Sequence, residues 1–387
     1  MIHFRLHVVN RYFFPVHAGI ETALLQLLRH FDPKKYSITM HVSASTLSEQ
    51  NILPLEDKKE NILIKRYKTI KGFFLPKLSN NQMDAVCLTN FTLVPHLVIF
   101  CSIAVLKMIG MKRFKTVYFP CGGFTPDWKT FSPTKRFIKQ LIHIVLGRRL
   151  INYTADSVIA ISNWEKEELI KNSISPRLIH VIPLGVEDEA FLSMKTEHIS
   201  QKTKDIVKKA KPYIIQVSRI HRIKNIDTTI RALSLMKNPF TYIIAGGIED
   251  KSYFEELQTL IKEKKLTNNV IFAGRISIAD KYYLIDHSIG MIHMSHNKSF
   301  GLSVYEGMSR GKICIAANNS ALPEAVIDGK NGYLIETEDA NTLAKKLTFL
   351  QTAKGRFETK RMEKNNKTEM KKYRWETVAA NFKKLLI

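Results

Sequence analysis

Short apolar runs alternate with longer amphipathic stretches along this chain, and the alternation occurs in two successive series. Short apolar runs separated by helical patterns predict βαβ units with parallel strands. We therefore expect an α/β protein with two doubly wound halves. The predicted strands are RLHVVN, YSITMHVSA, DAVCL, KTVYFP, SVIAIS and LIHVIPLG in the first half, and PYIIQVS, TYIIAGG, NVIFAG, IGMIHMS, KICIAA and NGYLIE in the second.

The polar, lysine-rich segment SMKTEHISQKTKDIVKKAKP separates the two series. A chain of 387 residues is long enough for two domains. The sequence therefore predicts an N-terminal domain over 1–195 and a C-terminal domain over 196–365. Residues 366–387 are expected to form a closing helix that returns to the first domain, with apolar residues at helical spacing: Trp375, Val378, Phe382 and Leu385.

The formal charge of +24, from 59 Lys and Arg against 35 Asp and Glu, predicts attraction to polyanions. Nucleic acid is not the expected partner, because the sequence has no zinc-finger spacing, RNP-like aromatic motif or basic coiled coil. A nicotinamide dehydrogenase is excluded because 9–21 lacks a GxGxxG motif.

The scattered cysteines Cys87, Cys101, Cys121 and Cys314 predict free thiols and a reducing compartment.

Two segments of the first half suggest contact with an anionic membrane. The apolar run Leu97–Leu106 is too short to span a bilayer, so it is either a buried helix or an interfacial one. Between Lys107 and Arg149 ten Lys or Arg stand against Asp127 alone. The stretch TKRFIKQLIHIVLGRRL within it is either an interfacial amphipathic helix or the solvated face of a core helix. The segment MIHFRLHVVN is predicted to be a strand and has no apolar region of the kind that secretory signals contain. We therefore expect a cytoplasmic protein that is attached peripherally to the inner face of the membrane.

Two loops of the second half follow predicted strands and suit a diphosphate. Arg219 and Lys224, in QVSRIHRIKNID, could neutralise a leaving diphosphate without a metal, although exposed basic pairs are common. Gly246 and Gly247, in IIAGG, allow a backbone or ligand to approach closely, or form a plain tight turn.

The loop HMSHNKSFGLSVYEGM is more informative. A helix opening at Ser299, Phe300, Gly301 and Leu302 would offer free N–H groups and the positive end of its dipole to an anion. Glu306 follows about one turn later, where its carboxylate could accept hydrogen bonds from two neighbouring ribose hydroxyls.

The motifs VSRIHRIKNID, NNVIFAGR, SFGLSVYEGM and LPEAVIDGKNGYLIE together resemble glycosyltransferase family 4, over nearly everything from Val8 to about Glu336. The resemblance implies the GT-B architecture, two Rossmann-like domains facing each other across a cleft, and retaining transfer from a nucleotide sugar. It implies that Arg219 and Lys224 bind the donor diphosphate and that Glu306 holds the ribose, the three residues expected to be catalytic. Amides of Gly301 and Leu302 would contact the diphosphate, and the backbone near Arg275 and Ile276 would sandwich the base.

In the first half, PVHAGIET resembles the glycine-rich first loop of the family, which implies that Gly19 lets the backbone approach the reacting phosphate and sugar. IPLGVED is similar to the family's IPNGVD, with Leu184 in place of Asn.

Two departures from the family pattern concern the donor sugar. Lys298 stands where the family has a second glutamate, and Cys121, followed by Gly122, stands where it often has a histidine that reaches the sugar's 6-position. Lys298 could instead point into solvent, and Cys121 could be a small packing residue. The exchanges suggest an atypical donor, either a 6-deoxy sugar or a uronic acid whose carboxylate could pair with Lys298.

We expect a front-face displacement in which the leaving phosphate accepts the acceptor's proton, because no carboxylate stands out as a nucleophile. No metal cofactor is expected, since Arg219, Lys224 and the helix N-terminus supply positive charge. The expected acceptor is a glycan or a lipid-diphosphate-linked sugar, as in bacterial surface polysaccharide or lipopolysaccharide synthesis. The alternative is a degenerate member of the fold that binds a nucleotide sugar without turnover.

Overall fold

A computed structural model describes residues 3–16, 19–45, 53–69, 74–89, 94–121, 124, 132–141, 147–296 and 300–386. The chain divides into two compact units. The N-terminal unit comprises Met1–Gly185 together with Trp375–Ile387, and the C-terminal unit comprises Val186–Arg374. Each unit is a parallel sheet with helices, so the expected α/β fold class is confirmed.

The N-terminal unit contains an eight-stranded sheet in the order β3-β4-β2-β1-β5-β6-β7-β8, parallel except for the β3–β4 pair. Its strands are β1 (Phe4–Val9), β2 (Tyr36–Ser43), β3 (Glu56–Lys59), β4 (Ile62–Tyr67), β5 (Ala85–Leu88), β6 (Lys115–Tyr118), β7 (Ser157–Ala160) and β8 (Ile179–Val181). Its helices before the C-terminal unit are α1 (Gly19–Leu28), α2 (Val94–Met108), α3 (Pro133–Leu141), α4 (Arg148–Thr154) and α5 (Asn163–Lys171).

The C-terminal unit contains a fully parallel six-stranded sheet in the order β11-β10-β9-β12-β13-β14. Its strands are β9 (Tyr213–Val217), β10 (Thr241–Ala245), β11 (Val270–Gly274), β12 (Gly290–His293), β13 (Cys314–Ala317) and β14 (Gly332–Ile335). Its helices are α6 (Gln201–Ala210), α7 (Ile226–Ser234), α8 (Lys251–Glu263), α9 (Ile278–His287), α10 (Leu302–Ser309), α11 (Leu322–Ala325), α12 (Ala340–Gln351) and α13 (Ala353–Glu369).

The twelve predicted strands form, because most of their apolar residues are buried within the sheets, as parallel sheets require. In β9, for example, Tyr213, Ile214 and Ile215 are all buried. Each sheet thereby forms the centre of a separate hydrophobic core. Strands β3 and β4 were not predicted.

The last helix, α14 (Trp375–Leu386), belongs to the N-terminal unit. Phe382 on this helix packs edge to face against Phe31 and Phe119, and Lys383 Nζ donates to the carbonyl of His30 at 2.7 Å. Helix α14 thus returns to the first sheet, as the sequence pattern predicts.

The chain passes from one unit to the other earlier than the polar segment suggests. Residues 186–195 were expected in the first domain, but they belong to the C-terminal unit. Ala190 is buried there, and Val186 donates its amide to the carbonyl of Tyr373 at 2.7 Å. The helical segment expected over 366–387 is split between α13 and α14, because an extended residue, Arg374, ends the first of two helical stretches.

All four cysteines carry free thiols, as expected. Among the helices of the described residues, none has both the length and the apolar character needed to cross a bilayer. The run Leu97–Leu106 lies within α2, a helix of 15 residues.

Candidate donor site

The strand order of the C-terminal unit places a topological switch point between β9 and β12, its first and fourth strands. In doubly wound sheets, ligands bind beyond the carboxyl ends of the strands at such a point. The loop after β9 (218–225) and the loop after β12 (294–301) both begin there. The amide of His296 donates to the carbonyl of Ile223 at 2.9 Å, so the described parts of the two loops are directly joined.

Backbone contacts with the loop after β10 hold the loop that carries Arg219. The amide of Ile220 donates to the carbonyl of Gly247 at 2.9 Å. Gly246 has a φ of +157°, and a Cβ there would lie 2.0 Å from the carbonyl oxygen of Ser218. Gly246 is therefore required for the close approach of two backbone segments, which is a structural reason for the glycine that needs no ligand.

Arg219 and Lys224 lie on the same loop in different environments. Arg219 is largely exposed and forms an ion pair with Glu249. Lys224 is half-buried, and burial followed by the charge of Arg219 lowers its pKa. Its charge also contributes, after burial, to lowering the pKa of His293 to about 3. The two predicted cations therefore lie close enough to repel each other, beside the end of β12.

Helix α10 begins at the other side of this switch point. Gly301 is its N-cap residue with a φ of 76°, a left-handed conformation that favours glycine. Leu302 is the first helical residue, so its N–H is among those that find no partner within the helix. Phe300 stacks on Tyr305 with ring centroids 4.7 Å apart, so its side chain packs inward. Lys298 and Ser299, the other predicted donor contacts, lie outside the described residues.

Glu306 lies in α10 with only 6% of its surface exposed. Its Oε1 accepts a hydrogen bond of 3.0 Å from Lys281 Nζ, which also donates to Glu187 Oε2 at 2.9 Å. Burial raises the pKa of Glu306, and the Lys281 ammonium opposes that effect. Burial also lowers the pKa of Lys281, but the two carboxylates outweigh it and hold that pKa above its ordinary value.

Sequence reasoning missed Lys281 and Glu187. Lys281 lies on α9, which is separated from α10 in the chain by strand β12, and no local spacing connects Lys281 to Glu306. Glu187 follows directly after the motif IPLGV, but the motif does not indicate that Glu187 contacts Lys281. The O–H of Tyr282 donates to Glu187 at 3.2 Å and completes the cluster.

Arg275 and Ile276 follow β11, at the carboxyl end of the sheet. A Cβ at Gly247 would lie 2.6 Å from Arg275 Nε, so the arginine side chain covers the loop after β10. Ile276 is partly buried against the core. Both residues thus lie at the same edge of the sheet as the two cations.

The N-terminal unit has its own switch point between β1 and β5, where sequence reasoning missed three residues. Asn10 Nδ2 donates to Glu21 Oε1 at 3.2 Å, and Thr89 Oγ1 donates to Asn10 Oδ1 at 2.6 Å. Burial raises the pKa of Glu21, whose Oε2 is buried without a hydrogen-bond partner among the residues described. A buried acidic residue at a sheet's switch point is a candidate functional group.

Gly19 begins α1, and a Cβ there would meet no described atom within 4 Å.

Cys121 follows β6 and has a φ of 50°. Burial, and then the charges of Glu165 and Glu21, raise the pKa of its thiol. The Cys121 thiol is therefore held in its neutral form, which suits a packing residue. Gly122 lies outside the described residues.

Within the described parts of both units, no three His, Cys, Asp or Glu residues are grouped so that they could hold a metal ion.

Comparison with known proteins gives matches over both units. Residues 198–369 match the sequence model of the family described as glycosyl transferases group 1. A Klebsiella pneumoniae protein described as an uncharacterized 41.2 kDa protein in the cps region is 30% identical over 240 residues, or 61% of each chain. An uncharacterized glycosyltransferase of Methanocaldococcus jannaschii is 25% identical over 353 residues, or 86% of this chain and 85% of that protein. The chain therefore spans less than two thirds of the first relative and most of the second.

Two solved structures illustrate the likeness of fold. Anabaena HepE in complex with UDP-glucose superposes with a TM-score of 0.73 at 18% identity, covering 99% of both chains. WaaG, a glycosyltransferase involved in lipopolysaccharide biosynthesis, superposes with a TM-score of 0.65 at 12% identity, covering 98% of this chain and 99% of that one. At these identities the likeness concerns the fold alone.

Proposed function

Because residues 198–369 match the family described as glycosyl transferases group 1, we propose that the chain transfers a sugar, with retention of configuration, from a nucleoside diphosphate sugar to a lipid-linked glycan. The observation that carries the proposal is the grouping at one switch point of the C-terminal unit. There the cations Arg219 and Lys224 and the N-terminus of α10 lie near each other, with Glu306 on the same helix.

The electrostatics of the loop favour a diphosphate ligand. Glu249 pairs with Arg219, but burial and then the nearby guanidinium still lower the pKa of Lys224, so its ammonium is unfavourable there unless a further anion compensates it. A diphosphate bound between the loop and the amides at the start of α10 would provide that compensation. The cost would then be relieved most fully when negative charge grows on the leaving group.

In this proposal the residues position the donor and stabilise charge. Arg219 and Lys224 neutralise the leaving diphosphate, so no divalent metal is required for that role. One carboxylate oxygen of Glu306 is occupied by Lys281, and the other has no hydrogen bond among the described residues. That carboxylate would accept hydrogen bonds from the ribose hydroxyls. The leaving phosphate would accept the acceptor's proton in a front-face displacement.

The donor sugar proposed is a 6-deoxy sugar or a uronic acid. Cys121, held as a neutral thiol, is a poor hydrogen-bond partner for a 6-hydroxyl. A cation at position 298 would pair with a uronate carboxylate. Transfer rates with 6-deoxy, uronic and ordinary hexose donors on each nucleoside diphosphate test this choice, and it is wrong if glucose or mannose donors are used best.

We also propose that the N-terminal unit contacts an anionic membrane through α2. Ile99, Phe100 and Ile103 on one side of the helix are buried in the core. The other side exposes apolar residues at helical spacing: Val98, Cys101, Val105, Met108 and Ile109. An apolar helix face beside cations is typical of interfacial attachment. Lys107 lies in the last turn of α2, and Lys112 and Arg113 follow the helix. One side of the helix is thus buried in the core, and the exposed side supports the interfacial alternative for the apolar run.

Part of the basic stretch predicted to be interfacial, 142–146, lies outside the described residues. The described part forms α3, which exposes Phe137 and Leu141, and the start of α4. Co-sedimentation with anionic and neutral vesicles tests the attachment. Val105→Asp with Met108→Asp should abolish binding to anionic vesicles, whereas Leu235→Asp, at an equally exposed apolar residue of the C-terminal unit, should not. Equal sedimentation with neutral vesicles would contradict the proposal.

The activity itself is tested by incubating the protein with labelled donors and lipid-diphosphate-linked glycans. The proposal predicts that label enters the lipid fraction, that the product keeps the anomeric configuration of the donor in NMR spectra, and that EDTA leaves the rate unchanged. Nucleotide binding without transfer or donor hydrolysis for any donor would instead indicate the binding protein without turnover.

A further inference from the structure

A second basic site lies in the C-terminal unit, away from the predicted donor loops. It is a cavity of about 750 Å³. One wall is the segment 190–193, another is the end of α10 with the turn 309–312, and the third is helix α13 with the residues that follow it. The volume lies within the usual range for small-molecule sites, about 300–1,000 Å³.

The lining of the cavity is strongly cationic. Seven lining residues are basic: Arg310, Lys312, Lys360, Lys364, Lys367, Lys371 and Arg374. The lining contains two acidic residues, and both are already paired: Asp286 with Arg310, and Glu363 with Lys312 at 3.6 Å. The remaining cations thus have no acidic partner in the wall.

Four of these lysines form a regular stripe. Lys360, Lys364, Lys367 and Lys371 are spaced at i, i+4, i+7 and i+11, which places them on one side of α13 and the turn after it. The opposite side is buried, through Thr359, Met362, Asn366 and Met370. Within the described residues of this unit, none of the four lysines forms an ion pair or a side-chain hydrogen bond. Such a row of like charges is unfavourable unless an anion compensates it.

Two of the cations are held in place by packing. The stem of Lys367 covers Gly311, where a Cβ would lie 2.7 Å from Lys367 Cε, and Gly311 has a φ of +83°. The guanidinium of Arg374 lies 4.4 Å from the centre of the Phe191 ring. Side chains that are already ordered lose less conformational entropy when they bind a ligand.

The cavity is separate from the donor site. Gly301 and Leu302, at the start of α10, face the switch point, whereas Ser309 and Arg310, at its end, line the cavity. A helix of eight residues spans about 12 Å. The lining residue Lys312 also comes just before β13, so the cavity lies at the amino end of that strand and the donor loops lie at the carboxyl ends.

We propose that this cavity binds an anion that carries several phosphate groups. Along the stripe the lysines follow each other at intervals of about 4.5–6 Å, from a rise of 1.5 Å per residue. Adjacent phosphates of an oligophosphate are closer together than this, but the flexible lysine stems allow several ammonium groups to reach the phosphates of one ligand. Lysine acts as a point charge for phosphate and does not need a planar partner. The ligand is either a soluble oligophosphate or a phosphorylated headgroup of a lipid. The inference does not depend on the proposed transfer reaction.

The test is calorimetric titration with inorganic tripolyphosphate at about 0.15 M salt, where exposed charges are largely screened. To weaken competing binding at the donor loops, the titration is made in protein carrying Lys224→Met. Saturable binding with one site is expected. Lys364→Glu with Lys367→Glu should weaken it at least tenfold, and Lys364→Gln with Lys367→Gln should weaken it less.

The matched control is Lys208→Glu with Lys209→Glu on α6, which makes the same change in net charge at exposed lysines of the same unit. It should change the affinity less than twofold. Equal weakening by both pairs, or binding that does not saturate, would overturn the proposal, and unchanged melting temperatures verify that the variants fold.

Vesicles with and without phosphatidic acid distinguish the two sources of phosphate. A lipid headgroup is indicated if the Lys364 and Lys367 variants lose binding to phosphatidic acid vesicles while the Lys208 and Lys209 variants keep it. A soluble ligand is indicated if only tripolyphosphate binding depends on the cavity. If neither ligand distinguishes the two pairs, the cavity is not a phosphate site.

Discussion

Lys281 Nζ lies 3.0 Å from Glu306 Oε1 and holds that carboxylate in a buried position near the start of α10. The same ammonium also contacts Glu187, so one cation compensates two carboxylates. A buried carboxylate without a cation would take up a proton and could then no longer accept two hydrogen bonds from a ribose. Lys281 is therefore a positioning residue for the proposed donor site.

Replacing Lys281 by Met should destabilise the protein and weaken nucleotide binding. Removing one partner of a buried ion pair costs about 3–5 kcal/mol, because the remaining charge is uncompensated. We expect a lower melting temperature and weaker binding of the nucleoside diphosphate, with the loss of affinity smallest at high pH, where Glu306 ionises again and can accept hydrogen bonds from the ribose. Lys208→Met, at an exposed lysine, should change neither. Unchanged stability of the Lys281 variant would show that the pair contributes nothing.

Lys224→Met should weaken the binding of the donor nucleoside diphosphate by roughly 10- to 100-fold, the loss of one charge-assisted hydrogen bond worth about 1.5–3 kcal/mol. Arg222→Met is the matched control, since Arg222 lies on the same loop but pairs with Glu256 and covers the Tyr253 ring. Calorimetry measures the affinity of both variants for the nucleoside diphosphate. If they lose affinity equally, only the net charge of the loop matters and Lys224 has no specific role.

Gly19→Ala separates a ligand contact from a structural role. The new methyl group would enter open space among the described residues, so the melting temperature should stay the same or rise slightly. If the donor approaches this backbone, the methyl group should raise KM for the donor about tenfold. Steady-state kinetics provide the measurement, and an unchanged KM would remove Gly19 from the site.

Three buried histidines predict that acid destabilises the folded chain. Burial is the main cause that lowers the pKa of His41 to about 3, of His96 to about 4 and of His293 to about 3. In the unfolded chain these groups have a pKa of about 6.5. The unfolded state therefore binds more protons below that pH, so stability is full above pH 6.5 and falls progressively towards pH 4.

Melting temperatures measured between pH 8 and pH 4 verify this dependence. His96→Gln should make it shallower by removing one proton-binding group, whereas His3→Gln, at an exposed position, should not. A melting temperature that is constant from pH 7 to pH 4.5 would contradict the prediction.

Continuous apolar runs such as YIIQV and TYIIA made the strands of the C-terminal sheet predictable, because parallel strands buried on both faces leave a clear signal. The β3–β4 hairpin was not predicted. Strand β3 carries Asp57, Lys58 and Lys59 and has no apolar signal, and the turn places Glu60 at a φ of 54°, where Asn or Gly would have signalled a turn. Strand β4 begins with the apolar run ILI, a signal that was missed.

For the candidate site, the sequence allowed us to predict residues that lie in local motifs. It did not allow us to predict contacts between residues that are far apart in the sequence. Arg219, Lys224, Gly301 and Glu306 lie next to the ends of predicted strands. Lys281 approaches Glu187 across 94 residues, and Thr89 reaches Asn10 across 79, so neither contact could be inferred from spacing. These contacts depend on strand order, which periodicity does not specify.

The proposed function depends above all on Glu306, which is proposed to recognise the ribose of a nucleoside diphosphate bound beside Arg219 and Lys224. Calorimetry tests it most directly, by comparing the preferred nucleoside diphosphate with its 2′,3′-dideoxy analogue in the wild type and in Glu306→Gln. The wild type should bind the ribose form at least tenfold more tightly than the dideoxy form, and the variant should bind both with similar affinity. A variant that discriminates as strongly as the wild type would contradict the claim.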